Sequence, residues 1–264
     1  MNLARVEYYF SDFLSKMETR YFDDEKIKTD KILTENEFDD RDKTDALSKY
    51  GDLYLPDNLY IIGTVNMDET THPFSKKVLD RANTIEFNEI DLTAFLEEDY
   101  ETLVAEQLKL NNEFLKTDYL KLKDLLPSKK EKIKAITEEL NQLNLILKKA
   151  NLQVGYRIRD EINFYIIQAL DKDLISQSTA FDKGILQKIL PRIQGSSRII
   201  KKILVELFKF FTDKDFSTEN TKFAGEMWDY YQKNKNLIKY PESAKKTAYM
   251  VQRYEEDGFT SYWL

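Results

Sequence analysis

The chain has 264 residues, 40 basic and 47 acidic, a net charge of −7, and 42% hydrophobic against 33% charged side chains. That balance predicts a folded, soluble protein and argues against a disordered one or a basic nucleic-acid binder. With no cysteine and a single histidine, His72, disulfide and thiol chemistry are excluded and only carboxylates remain as plausible metal ligands.

The opening MNLARVEYYF has no basic segment before an apolar core, so it does not read as a signal peptide, and no apolar run reaches the ~20 residues a membrane span needs. A cytoplasmic location and no membrane partner are the expectation. Val6, Tyr9, Phe10, Phe13, Leu14 and Met17 recur at helical spacing and predict an amphipathic helix. Residues 22–48, rich in Asp, Glu, Lys and Thr, read as a long surface loop.

After the turn Leu55-Pro56-Asp57-Asn58, the run Leu59–Val65 is apolar on both faces and predicts a central strand. It ends in Asn66, with Asp68 and Glu69 just beyond. A helix over 74–81 and a second short strand, Thr84-Ile85-Glu86-Phe87, follow. The rest reads as helical, in keeping with only 7 Gly and 5 Pro. Ile133, Ile136, Leu140, Leu143 and Leu147 line a long helix starting after Pro127-Ser128, with an antiparallel partner expected within 93–124. Lys129, Lys130, Lys132 and Lys134 lie among acids and read as its solvated face. Ile158, Ile162, Tyr165 and Ile166 form the next apolar face, after Gly155. Ile185, Leu186, Ile189 and Leu190 lead into Pro191, Gly195-Ser196-Ser197 opens a helix through Phe211, and a last helix, 241–256, stops at Gly258.

Several stretches resemble the McrB-type branch of AAA+ nucleotide hydrolases, GTP-driven motors of modification-dependent DNA restriction. They are NLYIIGTVN with the following DET, FSKKVLDRANTIEF, GYRIRDEI, LQKILPRIQGS and the terminal DGFTSYW, while MNLARVEYYFSDFLS is similar to the sequence after that family's Walker B acidic pair. The resemblance implies an α/β fragment that is mostly α: a partial AAA+ core over 1–92, followed over 93–264 by a helical lid and C-terminal domain with a long helical hairpin near 100–150. In the implied sheet order 5-1-4-3-2, residues 59–65 and 84–87 are strands four and five.

The implied roles follow from phosphoryl-transfer chemistry, which is mostly positioning and charge stabilisation. Asn66 would orient the attacking water, and Asp68 or Glu69 would hold that water or the metal's outer shell. Arg81 would be the arginine finger reaching a neighbouring subunit's nucleotide, and Arg157 the lid's sensor arginine. Local roles compete: Asn66 could cap a turn, Asp68 and Glu69 could cap helix 74–81, Arg81 could pair with Asp80 or Glu86, and Arg157 and Arg159 could be solvated. His72 reads as a surface loop residue.

No G-x-x-x-x-G-K-[ST] run occurs, and the resemblance places the phosphate loop and acidic pair ahead of residue 1. The expectation is therefore the C-terminal portion of such a motor, inactive alone. GTP or ATP with Mg²⁺ would belong to the complete protein and no cofactor to this chain by itself. Ring subunits of the same kind and a McrC-like nuclease would be its partners, with DNA met only through absent domains. The competing expectation is a non-catalytic helical module that docks onto an intact ring or nuclease.

Overall fold

The computed structural model describes residues 2–24, 26–37, 43–67, 72–88, 92–93, 111–117, 119–216 and 223–263. They divide into two compact units, one of residues 1–7, 65–84 and 121–264, the other of residues 8–64 and 85–120. Among the described residues the chain is mostly helical, and its sheets are two small antiparallel pairs.

The first helical turns are α1 (Val6–Tyr9) and α2 (Ser11–Met17). The single amphipathic helix expected here is thus interrupted at Phe10, and only Val6 of its apolar stripe is buried. Residues 22–48 hold more structure than a loop. A hairpin of β1 (Tyr21–Asp23) and β2 (Lys26–Lys28) pairs Phe22 with Ile27, and α3 (Lys43–Tyr50) follows. In this unit the buried apolar side chains among the described residues are Ile27 and Leu55. Thr29 Oγ1 fixes Leu55 by accepting its amide at 3.0 Å.

The two expected strands are the principal correction. Residues 59–65 and 84–87 are not paired into any sheet. Leu59, Tyr60 and Ile61 are exposed, Ile62 is 92% exposed and Phe87 88%. A strand is completed by its neighbour's N–H and C=O groups, and β-propensity without a partner does not make one. No AAA+ core sheet is present among the described residues.

The unit built mainly on 121–264 has a dense core. α4 (Lys76–Leu79) is a single turn, shorter than the 74–81 read from sequence. A short turn, α5 (Asn112–Leu115), belongs to the other unit. α6 (Leu122–Lys148) is broken at Lys129, two residues past Pro127, where the backbone leaves helical dihedrals. From there Ile133, Ile136, Leu140, Leu143 and Leu147 form a buried stripe at 3–4 spacing. The stripe packs on α7 (Tyr156–Asp171) and α9 (Arg198–Thr212), and the partner expected within 93–124 falls mostly on residues outside those described. Residues 94–110 lie outside the described residues.

α8 (Gln177–Lys188) packs on α7 and ends in the tight turn Leu190–Arg192, with Pro191 inside that turn. α9 buries Ile200, Ile203, Leu204, Leu207, Phe208 and Phe211, a wide apolar face set on α11 (Pro241–Asp257). α10 (Ala224–Asn234), which the apolar pattern does not announce, also lies on α11. Pro241 at the first turn and Gly258 at φ +70° bound α11 as expected. Beyond it β4 (Thr260–Ser261) pairs with β3 (Gln194–Gly195), tying the chain's last residues to the turn after α8. No described helix is long and apolar enough to cross a membrane.

Candidate functional site

Asn66 is exposed, and its backbone carbonyl accepts a 2.9 Å hydrogen bond from Asn2 Nδ2. Asn2 is itself 2% exposed, and its carbonyl accepts the amide of His72 at 3.0 Å. The Asn2 side chain and backbone therefore hold both ends of the segment between Asn66 and His72. His72 is exposed, as its loop assignment anticipates. Asp68 and Glu69 lie outside the described residues. Among the described residues no group of three His, Asp or Glu could hold a metal ion.

Arg81 lies one residue past α4, after its C-cap Asp80; α4 is a single turn that cannot hold its own geometry and depends on what it touches. Val78 and Leu79 are buried. Asp80 Oδ1 pairs with Arg192 Nη1, Thr84 N donates to Gln187 O at 3.3 Å, and the Phe74 and Trp263 rings meet edge-on at 6.2 Å. The half-buried Arg81 donates from Nη1 to Lys77 O at 2.9 Å, and the ion pair of Asp80 goes to Arg192 rather than to Arg81.

Arg157 sits exposed in the first turn of α7. The approach to that turn is fixed by Asn144 of α6, which accepts Val154 N at 2.7 Å and donates to Val154 O at 3.2 Å. One turn on, Glu161 forms an ion pair with Lys188 at the end of α8. Lys188 is 3% exposed, and its ammonium makes a charge contact there without an aligned hydrogen bond. Burial pushes the Glu161 carboxyl up, Lys188 and Arg157 oppose the rise, and Asp80 adds to it. Asp80, Arg157, Glu161, Lys188 and Arg192 are thus one electrostatic cluster linking α4, α7 and α8. Arg157 belongs to this cluster and Arg81 is the residue after Asp80, while Asn66 is held by a separate set of bonds.

Sequence reasoning missed Asn2, Glu161, Lys188 and Arg192. The last two lie inside LQKILPRIQGS, but their partners are far away in the chain, and Asp80 is 112 residues from Arg192. Elsewhere, a shallow cavity of about 360 Å³ between α10 and α11 is lined by Ala224, Trp228, Glu255 and Glu256. Its two carboxylates repel a triphosphate.

A family model described as a domain of unknown function, DUF8727, matches residues 101–259. No curated protein and no solved structure matches the chain.

Proposed function

We infer that this chain, which belongs to the DUF8727 family, is the sensing and lid portion of a McrB-like AAA+ nucleoside triphosphatase, inactive by itself. The observation that carries this reading is convergence on α4. FSKKVLDR, GYRIRDEI, LQKILPRIQGS and DGFTSYW are far apart in sequence. They meet through Asp80–Arg192, Glu161–Lys188, Thr84–Gln187, Phe74–Trp263 and the β3–β4 pair. Four of the stretches that carry the resemblance therefore come together, with Arg157 in the charge cluster they build and Arg81 next to its Asp80.

The residues present fit the periphery of a triphosphate and not its grip. Arg81 and Arg157 supply donors and charge for phosphate oxygens as negative charge develops on them. Asn66 supplies a side-chain amide able to orient a water. Nothing in the sequence makes a phosphate-cradling loop, and no described acidic cluster holds Mg²⁺. In this reading the loop, the metal and the GTP or ATP come with a partner half. The exposed 59–65 and 84–87 segments then find neighbouring strands in that half. Ring copies of the assembled motor and a McrC-like nuclease are its further partners.

Mixing the chain with a Walker-A-bearing half is expected to produce triphosphate hydrolysis. Asn66→Ala and Arg81→Ala should each remove it, the latter by about 10³-fold or more. Hydrolysis indifferent to both substitutions would overturn the assignment. A second reading, a docking module without catalysis, is favoured by the fully buried helical core around Ile136, Leu143, Ile166 and Phe208, which is built of apolar side chains packed on one another. Binding to an intact ring that survives both substitutions, with no gain in hydrolysis, would select it.

A further inference from the structure

We propose that Arg192 is the positioning residue for Arg81, acting through Asp80 to fix the angle at which the α4 segment presents that arginine. The inference rests on the reading of Arg81 as the residue that meets phosphate. It adds an assignment for which the sequence gives no sign: a lid-side arginine that sets the geometry of the arginine finger.

By itself α4 is weak. A four-residue helix has paid the cost of nucleation without the return of propagation, so its orientation is imposed from outside. Among the described residues, three contacts add to the burial of Val78 and Leu79 in imposing it. Phe74 against Trp263 holds the approach, and Thr84 N to Gln187 O holds the exit. Asp80–Arg192 alone grips a residue adjacent to Arg81. Arg192 is well suited to the task because its own base is rigid. It closes the Leu190–Arg192 turn, where Leu190 and Pro191 are buried and proline fixes φ. Its side chain is 9% exposed, against 30% for Asp80, so the pair is shielded from screening more than a surface pair is.

Arg81 itself rests on Lys77 O, a neutral carbonyl one turn back. A phosphate oxygen is the stronger acceptor, since bonds between two charged groups are shorter and stronger than bonds to a neutral carbonyl. A phosphate oxygen would therefore displace Lys77 O as the acceptor for Nη1.

The test uses the full chain and two independent readouts. By hydrogen–deuterium exchange on the chain alone, Arg192→Ala and Asp80→Asn should raise exchange over 76–84 by about tenfold or more, leaving α9 unchanged. In the mixture with the Walker-A-bearing half, the same variants should lower kcat toward the Arg81→Ala level with KM within about twofold. Arg192→Lys should fall between, and the exchanged pair Asp80→Arg with Arg192→Asp should recover most of kcat, which a general loss of stability would not allow. Unchanged protection over 76–84, or full kcat in Arg192→Ala where Arg81→Ala is inactive, overturns the proposal. If the native mixture shows no hydrolysis, the proposed function fails, while the exchange data still decide whether Arg192 holds the segment. Should Arg192→Ala fail to fold, Asp80→Asn and Arg192→Lys carry both readouts.

Discussion

At the scale of single residues, Lys188 and Glu161 show how unequal the two partners of an ion pair can be. Lys188 is 3% exposed and Glu161 34%. Removing the glutamate leaves an ammonium in the interior without its counter-charge. Removing the lysine leaves a carboxylate that water and Arg157 can still reach. Glu161→Gln should therefore cost about 3–5 kcal/mol and Lys188→Met only about 1–3 kcal/mol, both measured by urea unfolding. The double variant should be less destabilised than Glu161→Gln alone. Equal costs would mean that the Lys188 ammonium reaches solvent once its counter-charge is gone. Asn66, Arg81 and Arg157 are exposed or half-buried, so their alanine variants should unfold within about 0.5 kcal/mol of the parent. Effects of those three on hydrolysis could then be read as chemistry.

At the scale of elements, α10 begins at a cap supplied from another helix. Glu255 of α11 accepts the amides of Phe223 at 2.7 Å and Ala224 at 3.1 Å and pairs with Lys201. Burial pushes this carboxyl up, but Lys201 and the two amides outweigh it and hold the group below the ordinary glutamate value of 4.5. A depressed folded value means the contribution is present above pH 4.5 and is lost as pH falls through the lower folded value. Unfolding free energy measured against pH should decline through that window, and Glu255→Gln should flatten that part of the decline. On α6, Leu143→Ala should cost about 2–5 kcal/mol, whereas Leu145→Ala, on the exposed face, should stay within about 0.5 kcal/mol. The stripe of α6 and the bounds of α9 and α11 were legible because helical spacing and flanking Pro or Gly are local signals. α10 was not, since its cap lies about thirty residues downstream and its buried stripe is only Ala224, Met227 and Tyr231. The hairpin and α3 were hidden by a polar composition that ordinarily marks loops. Residues 59–65 and 84–87 fail in the opposite direction, carrying strand composition without a partner to complete a strand. Arg81 and Arg157 stand in stretches that resemble family motifs. Arg192 and Lys188 needed coordinates, because only the fold brings them to Asp80 and Glu161.

At the scale of the whole molecule, the two units differ in how completely they bury their apolar side chains. The unit built on 121–264 has a core of large residues shielded from water, among them Phe181, Phe208, Phe211 and Tyr240. The other leaves Tyr60, Ile62, Ile85, Phe87 and Leu92 exposed. Limited proteolysis should accordingly cut within 53–65 well before it cuts α9 or α11, and a partner half that pairs with these segments should slow that cleavage. The central claim is that this polypeptide senses and responds to a triphosphate gripped by another half. Its most direct test is phosphate release, measured for the purified chain alone and then during titration with a Walker-A-bearing half. The account predicts no release from the chain at any concentration and a saturable rise on titration. Sustained phosphate release by the chain alone would contradict it.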